Sequence, residues 1–354
     1  MSNSFYKLKV KQVVKETSDA VTIYFEDPEK KVKYKSGQFL TFIISLEGEE
    51  KRRAYSLCTS PFVDDVPGVT VKRVQGGKIS NYLRHSVKAG DELEVMEPLG
   101  NFTTDFDSNN ERHMIFFGGG SGITPLMSLI KSTLLLEPKS KVSLIYANRD
   151  SNSIIFKNEL EKLKSKFSDR FTIIHCLEKT PFFWRGISGY LTPKNIEDTL
   201  KKLPSLPKFE FFVCGPEPLM KVVVDTLLSL KVPKEWIHKE SFESQAAKEA
   251  GNKPVEELRE EGIIAREVTI IYDGEKYKLI VPPDKTILEA ALDLNIDLPY
   301  SCQSGLCTAC RGKCLSGKVK MVEDQGLSER EKKEGYILNC VGHPMSDDVV
   351  IEIG

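Results

Sequence analysis

The spacing of apolar and polar positions changes three times along the chain. Up to about residue 107, short runs alternate apolar with polar residues: Tyr6–Val14, Ala20–Glu26, Gln38–Ser45, Arg53–Cys58, Val69–Val74 and Glu92–Glu97. Asp27-Pro28, Ser36-Gly37 and Pro67-Gly68 punctuate them as turns. Period-two runs at this spacing predict a small antiparallel β-barrel, interrupted by one helix over Ile79–Ser86. From 108 to 242, apolar runs at His113–Phe117, Lys141–Ala147, Phe171–Leu177, Glu210–Val213 and Trp236–Glu240 alternate with helix-like stretches. Those stretches are Pro125–Leu136, Ile155–Phe167, Pro193–Lys202 and Glu217–Leu230. The alternation predicts a parallel sheet with crossover helices. Residues 243–265 are rich in Ala, Glu and Lys, hold Gly251 and Pro254, and lack apolar periodicity, which predicts a tether. From 266 to 354 come a hairpin around Asp273-Gly274, a helix over Thr286–Leu294 and a last strand at Val349–Ile353. Thr286 and Glu289 have the spacing of a capping box at that helix start.

Composition narrows the field. A chain of 354 residues with 40% hydrophobic residues can hold two or three domains with sizeable cores. Fifty basic residues against 51 acidic ones leave a net charge of −1, which argues against a nucleic-acid binder. Neither a secretory signal nor an apolar run long enough for a transmembrane segment is visible. Most of the 8 cysteines are bunched near the C-terminus and are not spread as a disulfide framework, so a cytoplasmic setting is expected.

The cysteines carry the sharpest chemistry. Cys302, Cys307 and Cys310 follow the spacing Cys-x4-Cys-x2-Cys, and Cys340 lies downstream. That is the plant-type pattern for a [2Fe–2S] cluster. Three thiolates from one tight loop wrap a compact cage, a fourth closes it, and Gly305 lets the backbone turn. Cys314 offers an alternative, a closed zinc site with Cys302, Cys307 and Cys310, which leaves Cys340 without a role. Otherwise Cys314 reads as a small buried apolar residue at the start of a strand.

Three further stretches look chemical. Arg53-Ala54-Tyr55-Ser56 combines a guanidinium fork, a ring face and a hydroxyl, although a solvated barrel strand would use the same residues. Gly76-Gly77-Lys78-Ile79-Ser80 stands before a helix start, where free N–H groups hold anions; an ordinary loop with a Ser cap is the alternative. Gly118-Gly119-Gly120-Ser121-Gly122-Ile123-Thr124-Pro125 joins a strand to a helix, the context in which a glycine loop means dinucleotide binding. Its glycines would let the backbone approach phosphates, and Pro125 suits a first helical turn. At the end of the second strand, Asn148-Arg149-Asp150 offers an Arg that favours NADPH and an Asp that favours NADH. Arg149 comes first, so NADPH is expected, with NADH possible.

Together these stretches resemble the ferredoxin–NADP reductase superfamily. In layout the chain is similar to the oxygenase reductase components with a C-terminal plant-type ferredoxin, such as the phenylacetyl-CoA epoxidase reductases. The resemblance implies an FAD-binding β-barrel over 1–107, an α/β NAD(P)-binding domain over 108–242, a linker over 243–265 and a β-grasp [2Fe–2S] domain over 266–354. It implies that Arg53, Tyr55 and Ser56 meet the flavin, with Ser56 near N5, and that Lys72, Arg73 and Val74 lie on its adenosine side. Gly77, Lys78, Ile79 and Ser80 would hold the pyrophosphate, a pattern that favours FAD over FMN. Gly119, Gly120, Ser121, Gly122, Thr124, Pro125 and Arg149 would bind the nicotinamide dinucleotide. Cys214 and Gly215 of Cys214-Gly215-Pro216 would face the nicotinamide, and Glu240 and Phe242 would lie beside the flavin. Cys302, Cys307, Cys310 and Cys340 would ligate the cluster.

The mechanism expected from this set follows from electron counting. Nicotinamide gives a hydride, a [2Fe–2S] cluster accepts one electron, and flavin does both, so the flavin must stand between them. Ser56, Cys214 and Glu240 are the expected reaction-centre residues, and the acceptor is expected to be a protein, an oxygenase or hydroxylase component. A redox-sensing electron-transfer module, or a reductase serving a desaturase or separate ferredoxin, is the alternative.

Overall fold

The structure is a computed structural model that describes residues 5–46, 48–204, 206–242, 262–296, 298–300, 303, 305, 307–321 and 326–353. These fall into two compact units, residues 5–98 with 102–242, and residues 99–101 with 262–353.

The first unit begins with β1 (Phe5–Lys15), β2 (Ala20–Phe25), β3 (Phe39–Leu46), β4 (Glu49–Ser56), β5 (Gly68–Lys72), α1 (Lys78–His85) and β6 (Glu92–Met96). The strands form an antiparallel sheet in the order β4-β3-β6-β1-β2-β5. A bridge between Leu57 and Val69 joins the two ends, so the sheet nearly closes into the expected barrel. Its inward residues, including Val10, Ile23, Phe25, Leu40, Phe42 and Val95, are fully buried. The strand expected to start at Arg53 starts at Glu49, because Glu49–Arg52 pair with Ile43–Leu46 of β3 through the backbone and need no apolar side chains.

Next come β7 (Arg112–Gly119), a 3₁₀ turn (Gly120–Gly122), α2 (Ile123–Leu136), β8 (Lys141–Asn148), α3 (Lys157–Lys166), β9 (Phe171–Leu177), β10 (Ile187–Ser188), α4 (Pro193–Leu200), β11 (Lys208–Cys214), α5 (Glu217–Ser229) and β12 (Ile237–Glu240). All strand pairs are parallel, in the order β10-β9-β8-β7-β11-β12. β7 is buried along its whole length, as a central strand covered on both faces must be.

Helix α2 is buried nearly all round, because it has a sheet on one side and the barrel on the other. Its apolar residues Leu126, Met127 and Ile130 join the sheet's core. Its polar residues meet the barrel. Ser132 Oγ shares hydrogen bonds with Ser36 Oγ at 2.6 Å and Ser60 Oγ at 2.7 Å, and Ser128 Oγ donates to the Thr59 carbonyl at 2.6 Å. Lys131, 5% exposed, is paired with Asp64 of the barrel at 3.2 Å and with Glu159 of α3. These contacts fix the orientation of barrel against sheet, as a purely apolar joint would not.

At the other end of β7, Arg112 is 4% exposed and is held on every side. It forks onto Glu137 with contacts of 3.0 and 2.6 Å, reaches Glu210 of β11 at 2.8 Å, and donates to Thr104 Oγ1 and the Asp105 carbonyl on the chain leaving the barrel. Burial pushes the Glu210 carboxyl up, but hydrogen bonds from His238, Lys208 and Arg112 outweigh it and hold the group well below the usual carboxylate range.

The second unit contains β13 (Arg266–Tyr272), β14 (Glu275–Val281), α6 (Ile287–Asp293), β15 (Arg311–Ser316), β16 (Val319–Met321), α7 (Glu329–Lys333), β17 (Tyr336–Leu338), β18 (Gly342–Pro344) and β19 (Val349–Ile353). The five-stranded sheet has the order β14-β13-β19-β15-β17, with β13 and β19 parallel and α6 packed on it, a β-grasp arrangement. Asp273 and Gly274 have φ of 50° and 78°, as a two-residue hairpin turn requires. The Thr286 capping box is formed in both directions. The tether expected over 243–265 lies, for 243–261, outside the described residues.

Candidate cofactor sites

The glycine loop and the turn after β11 are packed backbone to backbone. Gly118, Cys214 and Glu240 stand in one row across β7, β11 and β12. A Cβ on Gly122 would lie 2.1 Å from the Cys214 carbonyl oxygen, and one on Gly119 would lie 2.7 Å from Pro216 Cδ. These glycines therefore admit the Cys214-Gly215-Pro216 turn, which is a different reason from the approach to phosphates that the sequence suggests. Gly120 has φ +51° and its carbonyl accepts from the buried Tyr146 hydroxyl at 2.9 Å. Thr124 closes the loop by donating to the Ser121 carbonyl at 3.0 Å, and Pro125 falls in the first turn of α2.

A cleft of about 370 Å³ opens beside this loop. Gly119, Gly120, Asn148, Arg149, Glu178, Tyr190 and Pro216 line it, and Lys72 reaches it from the barrel. The Lys72 ammonium would lie 3.3 Å from a Cβ on Gly120, so this residue, expected on the adenosine side of the flavin, stands at the glycine loop. Asn148 is 7% exposed, and its Nδ2 has no hydrogen-bond partner among the described residues. A buried amide donor left open beside a cleft fits a ligand rich in acceptor oxygens, as a dinucleotide is.

Cys214 is fully buried; burial pushes its thiol up and Glu240 adds to the effect, so the group stays protonated and works by packing. Phe242 packs on the same core, which also contains Cys58 from the segment after β4.

Arg53, Tyr55 and Ser56 lie on the other sheet, in β4. Tyr55 meets Phe42 edge to face at 5.6 Å, and Ser56 is buried opposite Phe39. Arg53 Nη1 donates to the Arg52 carbonyl at 2.7 Å. Helix α1 starts at Gly77 with no side-chain cap. Ser80, the alternative cap, instead accepts from the Val74 N–H at 3.1 Å, and Asn81 Nδ2 donates to the Gly77 carbonyl at 2.6 Å. These bonds brace the loop between Val74 and α1, while Ile79 is buried in the barrel core and Lys78 is exposed. An uncapped start on an eight-residue helix fits a pyrophosphate.

In the second unit Cys307, Cys310 and Cys340 are buried; Cys302 lies outside the described residues. Asn339 ties two of them together: its backbone N–H and its Nδ2 both donate to the Cys310 carbonyl, at 3.1 and 2.9 Å. Gly326 presses on the loop, where a Cβ would come within 2.7 Å of the Cys307 carbonyl oxygen. Gly305 has φ +74° and its carbonyl accepts from the Gly326 N–H at 2.7 Å. These three cysteines are buried on braced backbone, but among the described residues no group of three or more His, Cys, Asp or Glu is gathered as a metal site, and the fourth cysteine of the spacing, Cys302, lies outside them. Cys314 is half-buried within β15, with Sγ on the Ser316 carbonyl at 3.1 Å, so it is neither at the start of the strand nor fully buried.

Comparison with known proteins agrees with this geometry. Three family models match: an oxidoreductase FAD-binding domain over residues 6–104, an oxidoreductase NAD-binding domain over 116–225, and a 2Fe-2S iron-sulfur cluster binding domain over 270–345. The ferredoxin reductase component of 3-ketosteroid-9-alpha-monooxygenase from Rhodococcus rhodochrous is 38% identical over 98% of this chain and 96% of its own. A component of 1,2-phenylacetyl-CoA epoxidase from Escherichia coli strain K12 is 34% identical over 99% and 98%. Among solved structures, phthalate dioxygenase reductase, described as modular for electron transfer from pyridine nucleotides to [2Fe-2S], aligns with a TM-score of 0.62 at 25% identity over 99% and 98%.

Proposed function

The chain belongs to the family of oxygenase ferredoxin-reductase components, oxidoreductases with FAD, nicotinamide and [2Fe–2S] sites, and on that premise we propose that it delivers electrons from a reduced nicotinamide dinucleotide to an oxygenase or hydroxylase component. When bound, the nicotinamide would supply a hydride, the flavin would convert it to single electrons and the cluster would carry them one at a time. The observation that carries the reading is the cleft beside the Gly119-Gly120 loop, into which the barrel's own Lys72 reaches.

The chain's residues work by placement. Lys72 and the glycine loop hold the dinucleotide's phosphates, and Asn148 donates to its oxygens. Gly215 and the protonated Cys214 leave a flat neutral wall for the nicotinamide, with Glu240 and Phe242 next to it. Arg53, Tyr55 and Ser56 seat the flavin ring, Val74 and Ser80 shape the loop that ends at its pyrophosphate, and Cys302, Cys307, Cys310 and Cys340 hold the cluster. The functional parts are taken as 1–107, 108–242 and 266–354, with 243–265 as linker. No helix among the described residues is long and apolar enough to cross a membrane, and the bunched cysteine pattern suits the cytoplasm.

Replacing Cys340 with Ser tests the order of the sites. With FAD content unchanged, the variant should keep nicotinamide-dependent ferricyanide reduction and lose most electron delivery to cytochrome c. Full delivery to cytochrome c without a cluster would place the exit elsewhere.

A further inference from the structure

Helix α2 carries a buried cation that touches none of the proposed cofactor residues. Burial pushes the Lys131 ammonium down, but Glu159 and Asp64 outweigh it, so the group stays charged. Both carboxylate oxygens of Asp64 lie 3.2 Å from its Nζ. Asp64 is fixed in turn to the chain that leaves β4. Its Oδ2 accepts from the Ser60 N–H at 2.7 Å, and its own N–H donates to the Ser60 carbonyl at 3.0 Å. Ser128 and Ser132, on the same face of α2, hold the same segment through the Thr59 carbonyl and Ser60 Oγ.

The two ends of this tie lead to the two halves of the proposed reaction centre. On the barrel side the segment runs back through Cys58 and Leu57 to Ser56, all buried. Leu57 bridges to Val69, and the Cys58 N–H donates to the Gly68 carbonyl at 2.9 Å. Thr59 Oγ1 meets the Tyr34 hydroxyl at 2.8 Å and accepts from the Gly68 N–H at 3.0 Å. No slack is left between the joint and Tyr55-Ser56. On the other side about 9 Å of helix separates Ser128 from Gly122. Gly122 lies against the Cys214 carbonyl, where a Cβ would be 2.1 Å away. A tilt of α2 on the barrel therefore moves Cys214-Gly215 relative to Ser56. It would also pull the buried cation off carboxylates on two other elements, which is strongly unfavourable.

We propose that Lys131, acting through Asp64, is a positioning residue for hydride transfer. It sets the gap between the nicotinamide wall at Cys214-Gly215 and the flavin seat at Tyr55-Ser56. In that transfer the C4–H bond of the reduced nicotinamide breaks and an N5–H bond of the flavin forms. Two electrons travel with the hydrogen, so the nicotinamide is oxidised as the flavin is reduced. The rate of such a step falls steeply when the reacting atoms are misplaced. The inference rests on the reductase reading given above.

Anaerobic stopped-flow reduction of the FAD-loaded protein by NADH or NADPH tests it, with Lys131→Met and the near-isosteric Asp64→Asn. At saturating coenzyme the rate constant for flavin reduction should fall roughly thirtyfold in Lys131→Met and roughly tenfold in Asp64→Asn. FAD affinity and the coenzyme concentration at half-maximal rate should stay within about twofold, because neither binding surface is altered. In the flavin-free protein, amide exchange over residues 57–64 should speed up roughly tenfold in both variants and stay unchanged in β8. Should Lys131→Met fail to fold, Asp64→Asn decides alone. A reduction rate unmoved in Asp64→Asn, a fall matched by an equal loss of FAD affinity, or unmoved exchange over 57–64 overturns the positioning role and leaves the reductase reading intact. Flavin that neither coenzyme reduces in the unaltered chain overturns that reading itself.

Discussion

Gly76 and Gly122 both stand just before a helix in a glycine-rich loop, one in the barrel and one in the α/β part, and they answer to different physics. Gly76 has φ +76° with open space where a Cβ would go. Gly122 has ordinary right-handed dihedrals, φ −60° and ψ −12°, but a Cβ there would collide with the Cys214 carbonyl. One position requires glycine for its dihedral angle and the other for room. The contrast separates a turn that only needs to bend from a joint where two backbones must touch.

Substitutions can widen or erase that contrast. Gly122→Ala should have the largest effect, about 3 kcal/mol or more, because the clash is with the backbone of the Cys214–Gly215 peptide, which cannot rotate aside as a side chain can. Thermal unfolding measures it, and a Tm within a degree or so of the parent would mean the two loops do not touch. Gly119→Ala should fall between, about 1–3 kcal/mol, since the Pro216 ring and Leu219 side chain it meets can yield slightly. Gly76→Ala should be mildest, about 1 kcal/mol, the strain of one left-handed residue with nothing to strike. If Gly76→Ala proved as severe as Gly122→Ala, the division into dihedral and steric glycines would be wrong.

Most of the fold is legible in the sequence because its strands obey simple periodicities. β9 and β19 follow directly from their runs, and the Asp273-Gly274 hairpin turn and the Thr286 cap have local causes. β4 begins earlier than its pattern suggests because its first residues are charged and held by backbone pairing. The residues that join the parts leave no periodic trace. Ser128, Lys131 and Ser132 look like unfavourable choices on an apolar helix until the barrel supplies Thr59, Asp64, Ser36 and Ser60 as partners. Arg112, Glu137 and Glu210 are likewise far apart in sequence and form one buried network.

The candidate sites divide in the same way. The cysteine spacing and the glycine loop are local motifs and stand out at once. Glu178 becomes visible only when β8 and β9 lie side by side, since the cleft takes Ala147, Asn148 and Arg149 at the end of β8 and Glu178 just after β9. The one clue in the sequence was the polar break at the end of each apolar run, where open α/β sheets place their ligands.

In this polypeptide a flavin is expected to stand between a two-electron donor and a one-electron acceptor. Rapid anaerobic mixing of the holoprotein with NADH or NADPH, followed at separate flavin and cluster wavelengths, tests it most directly. Flavin bleaching should precede cluster reduction, and flavin-depleted protein should leave its cluster oxidised. Reduction of the cluster by either coenzyme in the flavin-depleted protein would contradict it.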